Sequence, residues 1–197
     1  MSSAAILAGG RSSRMGSNKA LASLNGVTVL EYILGRLQPR FEEILIVTNE
    51  PALFEFYPAR VITDIYPRKG PIAGIHAALS SISEKQLFLL SCDMPFIQVK
   101  LIFHMLEHSA DYDAVVPVVA GRIQPTAAVY QKSCLPLLTD CLENDKLKLT
   151  RIFEDLHTLY IEEAVLSSFG PVKEMFFNIN DPTALEKARE IARRGLR

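Results

Sequence analysis

Residues 4–19 read AAILAGGRSSRMGSNK, and this stretch decides the class of fold. A short apolar run at 4–7, typical of a buried strand, leads directly into a loop of glycines, serines and cations. Glycine lets the backbone approach a ligand closely and take positive φ, so successive N–H groups of such a loop can bind an anion. The motifs GxxxxGK[ST] and GxGxxG do not fit the spacing. The stretch therefore favours a strand followed by an anion-binding loop, and the alternative is a merely flexible glycine-rich turn.

Outward from this stretch, short apolar runs alternate with longer amphipathic ones. The predicted strands are 4–7, 43–48, 60–62, 87–91, 114–118, 126–130 and 159–161. The predicted helices are 29–37, 72–81, 99–107, 132–142 and 182–194. Several strand runs are almost wholly apolar, as expected of strands that helices cover on both faces. The pattern predicts an α/β fold in a single domain over 1–197, with a Rossmann-like, open, mostly parallel sheet and helices on both faces.

The composition excludes several classes of protein. With 197 residues, 49% apolar residues and a net charge of −1, the chain is not typical of a disordered protein or of one held to nucleic acid by bulk charge. Three cysteines offer neither a disulfide framework nor a zinc site, and Cys92 is expected to be a buried thiol. No apolar run reaches the roughly 20 residues that cross a bilayer. We expect a cytoplasmic protein without a nucleic-acid or membrane partner.

Polar residues follow the predicted strands, where open α/β sheets bind their ligands. Asp93 comes after 87–91, and an acid there is a natural ligand for Mg²⁺, which takes few protein carboxylates and adds phosphate oxygens and water. The alternative is a turn residue that bonds its own backbone. Asp64 after 60–62 has the same placement. Asn49 ends 43–48, where such residues more often form simple turns, whereas Lys19 is suited to neutralising phosphate charge.

The chain resembles the molybdenum cofactor guanylyltransferase family of the nucleotidyltransferases that act on nucleoside triphosphates. The matching motifs occur in the family's order: LAGG at 7–10, RMG at 14–16 with Lys19, GPIAG at 70–74, CDMP at 92–95, QPT at 124–126 and FNINDP at 177–182. Each motif alone is weak evidence. The ordered set covers nearly the whole chain and is specific.

The resemblance implies a role for particular residues. For the triphosphate and base it implies Leu7, Ala8, Gly9, Gly10, Arg14 and Lys19. It implies that Asn49 and Asp64 contact the base or ribose and that Asp93 binds Mg²⁺, with Arg14, Lys19 and Asp93 as the catalytic set. For molybdopterin it implies Arg122, Gln124, Asn178 and Asn180. Without the resemblance, Asn178 and Asn180 would be interpreted as capping and turn residues, and Asn180 or Asp181 as the cap of the last helix.

The reaction that the resemblance implies is transfer of GMP from GTP to the terminal phosphate of molybdopterin, with release of pyrophosphate. Catalysis would consist of positioning and charge neutralisation with Mg²⁺. The resemblance also implies partners that insert molybdopterin or mature molybdoenzymes.

Two alternatives stay open. One is cytidylyl transfer to molybdopterin or to another phosphorylated small molecule. Gly9 favours guanine, since guanine-using relatives read LAGG at this loop and cytosine-using relatives tend to read LAAG, and a missing methyl leaves room for the larger purine. The other alternative is a non-catalytic, cofactor-binding chaperone. Lys19 and Asp93 argue against it, because a carrier needs no metal to activate an α-phosphate.

Overall fold

An eight-stranded mixed sheet forms the centre of the molecule. The structure is a computed structural model that describes residues 2–9 and 18–195. The strands of the main sheet are β1 (Ser3–Leu7), β4 (Glu43–Val47), β5 (Arg60–Ile62), β6 (Gln86–Ser91), β7 (Ala114–Val119), β8 (Arg122–Ile123), β9 (Ala127–Gln131) and β10 (Thr158–Ile161). A separate antiparallel pair consists of β2 (Ser23–Leu24) and β3 (Val27–Thr28).

The order of strands across the sheet is β10-β7-β9-β6-β1-β4-β5, with β8 paired to β7. β1 lies between β4 and β6 and is parallel to both, so that Leu7 faces Val47 on one side and Ser91 on the other. The chain first adds β4 and β5 on one side of β1 and then returns to place β6 on the other side. This reversal of strand order is a topological switch point, and it leaves a crevice at the carboxyl ends of these strands.

Helices cover both faces of the sheet and bury a core on each. They are α1 (Val29–Leu37), α2 (Pro71–Ser81), α3 (Val99–Glu107), α4 (Leu135–Glu143), α5 (Glu163–Leu166), α6 (Val172–Met175) and α7 (Pro182–Gly195). Successive side chains of β1 alternate between the cores: Ile6 packs with α1, α3 and α7, and Leu7 packs with α2 and α4. Since both faces are covered, the strands read as nearly continuous apolar runs, and the predicted α/β fold is confirmed.

The helices 29–37 and 99–107 begin and end as predicted. Thr28 fixes the start of the first, since its Oγ1 accepts from Glu31 N at 3.1 Å and the Glu31 carboxylate accepts from Thr28 N in return. The prediction for 132–142 was wrong at its start: Lys132–Cys134 is a separate 3₁₀ turn, and the α-helix begins at Leu135, just before a proline.

The direction of β9 departs from the parallel pattern. β9 is antiparallel to both β6 and β7, because the chain reverses in a tight turn between β7 and β8. Ala120 and Gly121 have positive φ there, at 48° and 72°. The β2–β3 pair, β8, α5 and α6 were not predicted, since segments of two to four residues carry little periodicity. Within residues 2–9 and 18–195, no helix is both long and apolar enough to cross a membrane.

Candidate functional site

The end of β1 is fixed to its neighbours where the glycine-rich loop begins. Ala8 N donates to Val47 O at 2.9 Å, and Cys92 N donates to Leu7 O at 3.1 Å. Leu7 and Ala8 are buried, whereas Gly9 is exposed. The loop therefore starts from a rigid base at the switch point, between the ends of β4 and β6.

Gly9 contributes space and not an unusual backbone conformation. Its φ does not lie in the left-handed region, so Gly9 does not use the positive φ that glycine permits. A Cβ at Gly9 would lie 3.8 Å from Thr48 Cα and 3.9 Å from Asn49 N, which is ordinary van der Waals contact. The fold itself therefore tolerates a methyl group here. Gly10 and Arg14, which the sequence analysis also assigned to the nucleotide, lie outside the described residues.

Lys19 opens a 3₁₀ turn, Lys19–Leu21, on the far side of the loop. Its neighbour Asn18 caps the turn by accepting a hydrogen bond from Ala20 N at 3.1 Å. The Lys19 Nζ donates to Asn180 Oδ1 at 3.2 Å. A cation beside the first loop thus contacts a residue 161 positions further along the chain, in the segment before α7.

Asn49 and Asp64 form a hydrogen-bonded pair at the ends of β4 and β5. Asn49 Nδ2 donates to Asp64 Oδ2 at 2.7 Å. Burial raises the pKa of the Asp64 carboxyl, and the bond from Asn49 opposes that shift. The structure thus brings the two residues together at the strand ends, while their contact with the base or ribose stays a prediction.

α2 packs closely behind this pair, as the small residues of GPIAG indicated. A Cβ at Gly74 would lie 2.7 Å from Leu7 Cδ2 and 3.8 Å from Asp64 Oδ1. A side chain there would displace Leu7, so only glycine fits without a shift. The helix starts at Pro71, after Gly70 with φ of 72°. The close approach keeps the end of β1 and Asp64 in one packed unit.

Asp93 is half-buried at the carboxyl end of β6. Its backbone carbonyl accepts from Ile179 N at 2.8 Å, which ties the end of β6 to the segment that carries Asn180. Burial, together with the charge of Asp93, raises the pKa of the adjacent Cys92 thiol to about 12, and the charge of Lys19 opposes this shift. Both charges are thus close to Cys92. The thiol is buried as predicted, and it is protonated at neutral pH.

The surroundings of Asp93 suit a metal ion that is coordinated partly by the protein and partly by a substrate. In the described part of the chain no three His, Cys, Asp or Glu residues are grouped as a metal cage. Mg²⁺ commonly binds one or two carboxylates and completes its octahedron with phosphate oxygens and water. A single half-buried carboxylate beside the start of the glycine-rich loop fits this kind of site.

The residues assigned to molybdopterin are less uniform. Arg122 is exposed, and its carbonyl accepts from Gln124 Nε2 at 3.2 Å. Asn178 Nδ2 donates to Phe176 O at 3.2 Å. Gln124 and Asn178 therefore use their amides in local bonds. Among the four assigned residues, Asn180 accepts the hydrogen bond from Lys19 Nζ.

The cap of α7 is Asp181, which accepts from Ala184 N at 2.8 Å. Of the two residues considered for this role, Asp181 is therefore the correct one. Asn180 is left to bond Lys19.

Sequence reasoning missed the part played by Asn18. Its Nδ2 lies 3.3 Å from Ala8 O and 3.3 Å from Glu50 Oε2, so it joins the two sides of the loop and the end of β4. An Asn directly before a helical turn is a recognised capping signal. That signal was available in the sequence, but the contact with Glu50 was not.

A loop base at the switch point, a lysine beside it and a carboxylate on the next strand end define a nucleotide-binding protein of the open α/β class. Comparison with known proteins narrows this class. The model of the MobA-like NTP transferase domain matches residues 4–159, and the chain belongs to that family.

Relatives confirm the resemblance to molybdenum cofactor guanylyltransferases. A probable molybdenum cofactor guanylyltransferase of Peptoclostridium acidaminophilum is 37% identical over 96% of this chain and 89% of its own. One of Pelotomaculum thermopropionicum is 35% identical over 95% and 91%. The crystal structure of molybdopterin-guanine dinucleotide biosynthesis protein A from Archaeoglobus fulgidus matches with a TM-score of 0.87 and 29% identity, covering 98% of this chain and 99% of that one.

Proposed function

We propose that this protein transfers GMP from GTP to the terminal phosphate of molybdopterin, releasing pyrophosphate and forming the guanine dinucleotide cofactor. The names of its relatives support the substrates. One structural observation supports the assignment of this reaction to particular residues: Lys19 Nζ lies 3.2 Å from Asn180 Oδ1. A cation at the nucleotide loop therefore meets the segment to which the family resemblance assigns the acceptor.

The chemistry needs charge neutralisation more than proton transfer. An oxygen of the acceptor's terminal phosphate attacks the α-phosphorus, and the bond to the β-phosphate oxygen breaks in line. Because the attacking oxygen is already anionic, no side chain has to remove its proton. Negative charge accumulates on the departing pyrophosphate, and Lys19 is placed to balance it. Arg14 would share this work from the part of the loop outside the described residues.

Asp93 is the proposed ligand of Mg²⁺. When bound, the ion would supply positive charge that neutralises part of the charge of the phosphates. The backbone of Asp93 is held at the end of β6, since its carbonyl oxygen accepts from Ile179 N at 2.8 Å. The residue that carries the proposed metal-binding carboxylate is therefore tied to both β6 and the 178–180 segment.

The nucleoside would lie against the ends of β1, β4 and β5. Ala8 N–H is used by Val47 O, so amides offered to the nucleotide come from Gly9 onward. The Asn49–Asp64 pair offers one amide and one carboxylate to the base or ribose. The missing side chain at Gly9 leaves more room for a purine.

The acceptor would lie beyond Lys19. Asn180 is the best placed of its proposed contacts, and the exposed guanidinium of Arg122 suits a phosphate group. Gln124 and Asn178 shape their loops through local bonds. We also propose that proteins which supply molybdopterin or receive the product approach this face.

Pyrophosphate release from each of the four nucleoside triphosphates, with and without molybdopterin, tests the proposal. We expect pyrophosphate release from GTP and from none of the other three nucleoside triphosphates. Release should also require molybdopterin. A site that hydrogen-bonds the edge of guanine rejects adenine, because its buried partners would be left unpaired. Release with CTP instead of GTP would make the protein a cytidylyltransferase. Tight GTP binding without release from any nucleotide would make it a carrier.

A further inference from the structure

The side chain of Asn18 makes three hydrogen bonds at the base of the glycine-rich loop. Its Nδ2 lies 3.3 Å from Ala8 O and 3.3 Å from Glu50 Oε2, and its Oδ1 accepts from Ala20 N at 3.1 Å. All of the amide's polar atoms are thus used. Asn18 connects Ala8 before the loop, Glu50 in the segment after β4 and the turn that begins with Lys19.

These bonds extend a network that joins three strand ends. Ala8 N donates to Val47 O at 2.9 Å, and Thr48 N donates to Ile62 O at 3.0 Å. Thr48 is buried, and its Oγ1 accepts from Glu50 N at 3.1 Å. Glu50 is therefore tied to the packed part of the sheet through Thr48, and Asn18 is tied to the same part through Ala8.

We propose that Asn18, supported by the carboxylate of Glu50, is a positioning residue that fixes where Lys19 meets the triphosphate. The inference rests on the proposed function. Asn18 acts through the lysine: a lysine has a long, flexible side chain, so the place where its charge lies depends on how firmly its backbone is held. The amide closes the loop across Ala8 and caps the turn of Lys19 at once.

The carboxylate of Glu50 explains why an amide stands at position 18. Asn18 has a donor for Glu50 Oε2 and for Ala8 O, and both partners are acceptors only. An aspartate would still accept from Ala20 N. It would, however, place a second carboxylate against Glu50 and an oxygen against the Ala8 carbonyl.

The test compares the affinities for GTP and GMP in Asn18→Asp, by calorimetry without turnover. Lys19 is proposed to act on the β- and γ-phosphates, so we expect the affinity for GTP to fall about tenfold while that for GMP changes by less than about twofold. Asn18→Ser keeps a cap for Ala20 N but cannot bridge to Glu50, and we expect the same GTP-specific loss. Glu50→Gln in the Asn18→Asp background supplies a new donor, so it should restore most of the lost affinity.

Asn144 provides the matched control. Its Nδ2 donates to Asp140 O at 3.0 Å and to Asp140 Oδ1 at 2.9 Å, which is the same pair of acceptor types at the end of α4. Asn144→Asp should change the melting temperature as Asn18→Asp does, without changing the ratio of the two affinities. Equal losses of GTP and GMP affinity in Asn18→Asp, or no recovery with Glu50→Gln, would overturn the inference.

The two proposals fail separately. If the wild-type protein binds GTP but forms no pyrophosphate, the proposed reaction is wrong and the role of Asn18 can still be measured. If it prefers another nucleotide, that triphosphate and its monophosphate replace GTP and GMP. If transfer occurs but the Asn18 variants keep the wild-type ratio, only the positioning role is wrong.

Discussion

The two halves of the sheet build their parts of the site in different ways. In the parallel half, β6-β1-β4-β5, the site residues stand directly after strands and contact one another across the sheet: Asn49 bonds Asp64, 15 residues away. In the mixed half, β10-β7-β9 with β8, they stand in the connections. There Gln124 bonds a carbonyl only two residues away, and Asn178, in the segment before α7, makes the same kind of local bond.

The difference teaches which positions are fixed by the fold. A residue after a parallel strand is held by neighbouring strands, so its geometry is set before any ligand binds. A residue whose bonds are local is placed by its own loop, and loops adjust more readily. We therefore expect substitutions in the parallel half to have the larger effects. Asn180 is the exception, since it bonds Lys19.

The largest effect is expected for Asp93→Asn. The change is nearly isosteric and keeps the bond from Ile179 N to the Asp93 carbonyl, but it removes the charge that Mg²⁺ prefers. Turnover should fall about 1000-fold, with partial rescue by raised Mg²⁺ or by Mn²⁺. Metal-free GTP binding should stay the same or tighten slightly. Turnover and metal dependence near those of the wild type would make Asp93 a turn residue and Asp64 the next metal-ligand candidate.

Lys19→Ala should follow, because it removes the contact between the nucleotide loop and the segment before α7. We expect turnover to fall about 100-fold, since a cation near the transferred phosphate is lost. The melting temperature should hardly change, because the bond of the Lys19 side chain within the described residues is to an exposed amide. Lys146→Ala is the control: Lys146 pairs with Asp140 at 2.9 Å on the surface, and its removal should affect neither quantity. Intact activity would refute the role, and a large drop in melting temperature would make Lys19 structural.

Asp64→Asn should lower turnover about tenfold, because a contact with the base or ribose is lost. The substitution should also change how the free energy of unfolding depends on pH. Burial raises the folded-state pKa of Asp64 above its usual 3.8. Its contribution to the free energy of unfolding is therefore present below that value and lost as the pH rises through the folded-state pKa. The variant lacks this loss, so its stability relative to the wild type should rise with pH. Urea unfolding from acidic to neutral pH measures this, and a constant difference would contradict the account.

The smallest effect is expected for Arg122→Ala. Arg122 is exposed on a two-residue strand, so the substitution should not disturb the fold. We expect the KM for molybdopterin to rise about threefold, as for the loss of one exposed phosphate contact, with GTP affinity unchanged. A loss as large as that of Lys19→Ala would show that the mixed half is as preorganised as the parallel half.

The sequence predicts the parts of the molecule that local pattern controls. Amphipathic spacing and the Thr28 capping box set the bounds of α1. The apolar runs before Asp64 and Asp93 place these acids at strand ends. The direction of β9 was not predicted, since it depends on a turn at Ala120 and Gly121 that lacks the common Asn-Gly signal.

Contacts between distant segments of the chain could not be predicted from local sequence patterns. Lys19 and Asn180 are 161 residues apart, and nothing local encodes their bond. Asn18 and Glu50 are 32 residues apart and likewise meet only in the folded chain. The family resemblance assigned Lys19 and Asn180 to the two substrates, and the structure adds that these assignments meet at one hydrogen bond.

The central claim is that the acceptor phosphate attacks the α-phosphorus of GTP, and it is tested most directly by following that atom. The protein is incubated with molybdopterin and with GTP labelled at either the α- or the γ-phosphorus. We predict that label from the α-position appears in a product that also contains the pterin and guanine, while label from the γ-position appears only in pyrophosphate. Label from the γ-position in the pterin product, or no α-label in it, would contradict the account.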